Sequence, residues 1–250
     1  MTAPQIARTR TGRPPEPDDG VYYPIVSDVL PPEGMIHFVP QSYMQSALET
    51  WLEDDETLVA SQMFIYYEPG NPSVSVSPDV YVIPNVGSDP RRSYFLWLER
   101  EVPAFAMEIT SPSTHRRDRE FKRDLYESWG VLEYWQYDPY GIYLTPLLQG
   151  NRLEDGRYQP IPVEVAPDGS LCIGYSEFLK LELRARREWF RFRNPVTGRL
   201  ISNRQESERE WRVAEHRRLE AESALDRERS ARRELENILR QQGIEPPAAE

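Results

Sequence analysis

Residues 103–139 read PAFAMEITSPSTHRRDREFKRDLYESWGVLEYWQYDP, and the fold turns on this stretch. Pro103–Thr110 is a β-rich run and reads as a strand. SPST then punctuates it, with Pro112 fixing the entry and Ser113 or Thr114 as an N-cap. A helix is expected from about His115 to Trp129, stopped by Gly130 in the usual C′ position. Leu132–Tyr137 returns to strand character. DPYG (138–141) has type I turn chemistry, and Ile142–Leu148 reads as the next strand.

Upstream, Pro40 is expected to open a helix through about Glu53, with Tyr43, Ala47, Leu48 and Trp51 on one apolar stripe. Leu58–Tyr67 and Val74–Ile83 flank the turn-forming EPGNPS and read as an antiparallel hairpin. Downstream, short strands are expected near Tyr158–Val163, Leu171–Ile173, Leu181–Leu183 and Trp189–Arg193. The order helix, strands, helix, strands predicts an α+β fold with a mixed or antiparallel sheet. Residues 1–20, six of which are Pro or Gly, read as a flexible tail, and 243–250 as a flexible C-terminus. Between them lie a folded domain over about 21–200 and a long helix over 201–242. In that helix Trp211, Ala214, Ala221, Leu225, Leu235 and Leu239 share a heptad register interrupted by Arg218, Glu228 and Arg232, which is marginal coiled-coil character.

With 250 residues the chain is long enough to bury a real core, as one domain with appendages or two small ones. Hydrophobic residues at 39% and aromatics at 11% argue against wholesale disorder. The net charge of −11 excludes a protein that coats nucleic acid by bulk positive charge. No apolar run approaches the roughly 20 residues of a membrane span, and no secretory signal is evident, so a cytoplasmic protein is expected. The single cysteine, Cys172, rules out an intramolecular disulfide and a multi-cysteine zinc site. The three histidines are dispersed, with His37 expected just before the first helix. Only two of the 30 basic residues are lysines, Lys122 and Lys180, a hint that either holds a place where a compact charge is wanted.

The chemistry-bearing constellation is Asp79 in one strand, Glu108 at the end of the next and Lys122 on the following helix. Two carboxylates on neighbouring strands can share a hard, oxygen-loving cation, and a nearby lysine can orient water or offset phosphate charge. Glu108 shares its strand face with Ala104, Ala106 and Thr110, leaving room for a ligand. Asp118, Lys122 and Tyr126 are spaced i, i+4, i+8 on one helix face. Spacing alone leaves the plainer reading open, and weighs towards it: solvated strand-end acids and a routine helix ion pair. Arg116, Arg117, Arg119 and Arg123 make the start of that helix basic, suited to a phosphate backbone or simply to solvent. Tyr134, Trp135, Tyr137, Tyr140 and Tyr143 read first as packing and only second as base-stacking groups. Paired acids also occur in glycosidases, which the lysine-associated arrangement fits less well.

Together PDVYVIP (78–84), EITSPST with its D-x-x-x-K-x-x-x-Y helix (108–126) and GVLEYWQYDP (130–139) resemble the Uma-two family, within the PD-(D/E)XK restriction-endonuclease-like superfamily. The likeness spans about residues 25–195. It implies a restriction-endonuclease-like αβββαβ core, with a mixed β-sheet flanked by helices, and Asp79 and Glu108 as metal ligands. The superfamily lysine, two residues after the glutamate, is replaced here by Thr110, and Lys122 takes its part. The implied activity is a Mg²⁺- or Mn²⁺-dependent endonuclease that hydrolyses DNA. In it the Ile109 carbonyl is an added ligand, Lys122 positions water, and Asp118 and Tyr126 support the site. Arg116, Arg117 and Arg123 are the expected DNA contacts. An acidic residue on the first helix often completes such sites, and Glu49 and Glu33 are the candidates. The alternative is a non-catalytic module that self-associates, as a homodimer or with a partner, through the C-terminal helix.

Overall fold

The computed structural model describes residues 17, 19–22, 34–53, 56–110 and 117–241, with backbone alone for 117–119 and 234–241. The expected tails therefore lie almost wholly outside the described residues, as do Glu33, Ser113, Thr114 and Arg116. The chain divides into two units, one reaching Asn203 and one beginning at Arg204.

The first unit is α+β. Its principal sheet has six strands in the order β1 (Thr57–Ala60), β4 (Val80–Pro84), β6 (Phe105–Ile109), β7 (Glu133–Tyr137), β8 (Leu148–Glu154), β9 (Arg157–Ile161). Only β6 and β7 run parallel, and between them the chain crosses over through helix α3 (Arg117–Trp129). The other neighbours in that sheet are antiparallel. Both β6 and β7 are buried along their whole length, as expected for strands covered on two faces.

One face of the sheet packs against helix α1 (Met35–Trp51) and a four-stranded antiparallel meander. The meander comprises β10 (Val163–Val165), β11 (Cys172–Ser176), β12 (Leu181–Arg186) and β13 (Trp189–Arg193). Met44, Ala47 and Leu48 of α1 are fully buried there, the two larger side chains worth about 1.5–3 kcal/mol each. The opposite face packs on Tyr126, Leu125 and Trp129 of α3. A small sheet of β2 (Ile65–Tyr66), β3 (Ser75–Val76) and β5 (Tyr94–Phe95) lies beside it, followed by the one-turn helix α2 (Leu96–Glu99). The second unit is one helix, α4 (Arg204–Gln241), laced with i,i+3 and i,i+4 ion pairs such as Arg218 with Glu215 and Glu222.

Three sequence expectations change. The first helix begins at Met35 and carries Pro40 inside it, so His37 is helical rather than in the approach to the helix. The anticipated hairpin is split. Its outer halves pair as β1 with β4 and its inner halves as β2 with β3, because the left-handed backbone at Gln62 and the Ser77–Pro78 step turn both arms out of register. Residues 142–147 form a loop and not a strand. The buried Asp138 carboxylate accepts the backbone N–H groups of Tyr140, Ile142, Tyr143 and Leu144, which takes those donors away from any ladder. One further element, absent from the sequence reading, is the hairpin of β8 and β9 about Asp155-Gly156, both at positive φ, as an Asp-Gly two-residue turn requires.

The stop to α3 is as read. Gly130 is left-handed at φ 86°, its N–H donates to Glu127, and Val131 N–H donates to Tyr126, which is a Schellman closure.

Candidate active site

Strand register assembles the first two residues. Val80 lies opposite Met107 in the antiparallel β4–β6 pair. One residue further along, Asp79 comes opposite Glu108, and facing residues of such a pair project to the same side of the sheet. Both carboxylates are buried, Asp79 at 8% and Glu108 at 4% exposure. They sit at the C-terminal end of β6, where the crossover to α3 departs and open sheets place ligands.

Helix α3 supplies the rest of one half-site. Lys122 Nζ donates to Glu108 Oε2 at 2.7 Å and Tyr126 OH donates to Glu108 Oε1 at 2.8 Å. The i,i+4 spacing puts both donors above one carboxylate, each oxygen with its own partner. Burial, and next the Glu108 carboxylate, push the Tyr126 phenol well above its ordinary range, so it stays a donor. The space expected beside Ala106 is filled, since Ala106 packs in one cluster with Tyr126 and Tyr134.

The other half-site surrounds Asp79. Its Oδ2 accepts the Ile109 backbone N–H at 2.6 Å and lies 3.3 Å from His37 Nε2. His37 Nε2 also stands 3.0 Å from the Ile109 carbonyl oxygen. Gln41, one helical turn on, donates to the Asp79 carbonyl at 3.1 Å and to Ser61 Oγ at 2.8 Å. Neither His37 nor Gln41 was singled out from sequence as a site residue. The available signal was two polar residues on the buried stripe of an otherwise apolar helix.

The remaining expectations are placed as follows. Glu49 is exposed, accepts from Gln45, and lies twelve residues beyond His37, roughly 18 Å along the helix; the fold does not bring it to the other acids. Asp118 and Arg117 belong to α3 but their side chains are outside the described residues, as is the whole of Arg116. Arg123 packs over the Tyr158 ring and reaches the Tyr158 carbonyl at 3.4 Å. Of the two lysines, Lys122 is inside the site, whereas Lys180 is an exposed partner of Glu177. Thr110 donates to the Tyr137 carbonyl at 3.3 Å. Tyr134, Trp135 and Tyr137 are fully buried core.

A family model described as "Uma2: Putative restriction endonuclease" matches residues 25–186. The chain belongs to this family. The match takes in α1, the whole principal sheet, α3 and the meander as far as β12. No curated protein matches the chain. Among solved structures it is similar to "a putative nuclease belonging to DUF820" from Anabaena variabilis ATCC 29413. The identity is 15% and the TM-score 0.40, over 55% of this chain and 75% of that one.

The Uma2 site presents hard donors, namely the Asp79 and Glu108 carboxylates and the Ile109 carbonyl. Such a set suits Mg²⁺ or Mn²⁺ and not the Cys- and His-rich preference of zinc. Among the described residues no three His, Cys, Asp or Glu side chains form a group that could hold a metal ion. Two carboxylates completed by a carbonyl and water are nevertheless an ordinary Mg²⁺ environment. The donor chemistry therefore fits.

Proposed function

We propose that the chain is a Mg²⁺- or Mn²⁺-dependent endonuclease that hydrolyses DNA phosphodiester bonds. The observation that carries this reading is the Glu108 carboxylate, divided between Lys122 and Tyr126 and set opposite Asp79 at the end of the parallel strand pair. Asp79, Glu108 and the Ile109 carbonyl would hold the cation, which when bound supplies charge for the phosphate and acidifies water. Tyr126 fixes Oε1 of Glu108, so rotation of that carboxylate is blocked while Oε2 can exchange partners. Lys122 is a long, rotatable cation at the carboxylate. Swung from Oε2, its ammonium orients the attacking water and offsets charge on the phosphate. In this reading Asp118, four residues before Lys122 in sequence, is assigned to its support, and Arg116, Arg117 and Arg123 to contact with the DNA backbone. Belonging to a restriction-endonuclease family agrees with this chemistry.

The test is a divalent-metal screen against single-stranded, duplex and branched DNA. Cleavage that needs Mg²⁺ or Mn²⁺ and vanishes in Glu108→Ala and Lys122→Ala proteins supports the assignment. Metal-dependent cleavage that survives in both overturns it.

A second reading concerns α4. Trp211 and Leu225, two heptads apart and 66% and 45% exposed, share a register with the exposed Ala214 and Ala221, and burying this stripe against a second copy would give a homodimer able to cut both strands. Sedimentation of the full chain and of a Trp211→Glu/Leu225→Glu variant tests it, a dimer converted to monomer being the supporting result. A dimer of that kind without any metal-dependent cleavage would favour the non-catalytic module.

A further inference from the structure

His37 is the third residue of α1 and only 2% exposed. Its Nε2 faces two oxygens, the Ile109 carbonyl at 3.0 Å and Asp79 Oδ2 at 3.3 Å. A carbonyl oxygen only accepts, and Oδ2 already accepts the Ile109 N–H at 2.6 Å. The proton must therefore reside on Nε2, which makes the imidazole a donor to the Ile109 carbonyl, with Asp79 Oδ2 close beside the same N–H. Without that N–H, two electron-rich oxygens would face each other in a buried, poorly solvated corner, an unfavourable arrangement.

The same helix face continues the grip. Gln41 binds the Asp79 carbonyl and Ser61, and Gln62 Nε2 donates to Gln41 Oε1 at 3.2 Å. One turn further on, Met44 and Leu48 run the stripe into the core. The polar end of a core stripe thus abuts the two oxygens, and the apolar end anchors it.

We infer that His37 is a positioning residue that fixes both Asp79 and the Ile109 carbonyl in the orientation a divalent cation needs. With Oδ2 taken by the Ile109 N–H and held 3.3 Å from His37 Nε2, Oδ1 is the Asp79 oxygen that no donor among the described residues engages. The carboxylate can then present Oδ1 outward without reorganising. The same N–H holds the Ile109 carbonyl by one lone pair and leaves the second. Outer partners of this kind typically account for 10–100-fold in metal affinity. The inference rests on the metal-dependent reading above, but it concerns binding and not the reaction.

The experiment is a calorimetric Mn²⁺ titration of the full chain, beside His37→Gln and His37→Asn, with thermal melts of all three and a parallel cleavage assay. A glutamine amide nitrogen reaches the Nε2 position, whereas asparagine carries the same amide one methylene shorter and stops short of it. The expected result is Mn²⁺ affinity about tenfold weaker or more in His37→Asn and within about threefold of the parent in His37→Gln, with similar melts. Equal affinity in all three proteins overturns the role of His37 and leaves the nuclease reading intact. Equal weakening in Gln and Asn overturns it too. A parent that binds Mn²⁺ in this graded way yet cleaves no DNA refutes the nuclease reading alone. A parent that binds no Mn²⁺ overturns both.

Discussion

Glu133 and Glu108 lie on neighbouring parallel strands, both almost wholly buried, and they have opposite surroundings. Glu133 opens β7 at the N-terminal end of the pair, opposite Phe105, and Glu108 sits at the C-terminal end. The Glu133 carboxylate accepts from Trp135 Nε1, from Ser176 Oγ and from the backbone N–H groups of Glu177 and Phe178. Arg152 adds an ion pair at 3.5 Å. Those donors are mostly backbone or locked side chains, so the group ties the β11–β12 turn to the principal sheet and has no capacity left. Glu108 is held by two α3 side chains, one of them the long, rotatable Lys122. Burial of an acid is thus no mark of function; whether its partners can let go is the better discriminator.

The largest separation between the two should come from paired substitution. Glu108→Gln should lower metal-dependent cleavage by about 10²–10⁴-fold, the range for loss of a positioned catalytic group, with little change in melting. Glu133→Ala should do the reverse. It strands several buried donors, so about 3–5 kcal/mol of stability should disappear in denaturant titration. Cleavage per folded molecule should stay near the parent value. If both substitutions chiefly unfold the protein, the contrast is broken and Glu108 is a structural acid as well.

A smaller effect is expected around Trp135, the ring that Glu133 holds by its N–H. Gly150 and Gly174 press on that ring from two strands, and a Cβ would come within 2.6 Å of it at Gly150 and 2.5 Å at Gly174. Gly174→Ala should therefore cost about 1–3 kcal/mol by overpacking, read from the urea midpoint, with the proposed Mn²⁺ binding unchanged.

A pH-dependent effect concerns a third acid, Glu99, whose Oε2 meets Arg91 at 3.2 Å while Oε1 has no hydrogen-bond partner among the described residues. Burial raises its pKa from 4.5 to about 7, against the opposing pull of Arg91. A raised acid favours the folded state when protonated. Its contribution is complete below about 4.5 and is lost as the pH rises through about 7. Denaturant midpoints measured between these values should decline in the parent and flatten in Glu99→Gln. An unchanged slope would show that Arg91 keeps Glu99 ionised throughout, making it the more fully paired acid that Glu133 already is.

Much of the site could be read in advance because it is locally encoded. The strand at 105–109, the helix stopped by Gly130 and the i,i+4 spacing of Lys122 and Tyr126 depend on neighbouring residues and a backbone period. The Asp-Gly hairpin at 155–156 was equally local and carried a recognisable signal. His37 was less accessible. It touches residues 42 and 72 positions away, and its helix begins five residues ahead of Pro40, whose missing N–H looked like a starting point. Asp138 misled for a similar reason. DPYG announces a turn, but only the folded loop shows one carboxylate collecting four backbone donors and cancelling the strand after it.

The sequence by itself determined the kinds of groups available, Asp79, Glu108, Lys122 and Tyr126 in that order, and the elements that carry them, because side-chain chemistry and local periodicity are properties of a short stretch of chain. Only the tertiary structure decided which donors surround Glu108 and which surround Glu133, and that α1 brings His37 to Asp79 and the Ile109 carbonyl. Partners of a buried carboxylate are chosen by strand register and helix docking, and those are set by burial of apolar surface summed over the whole unit.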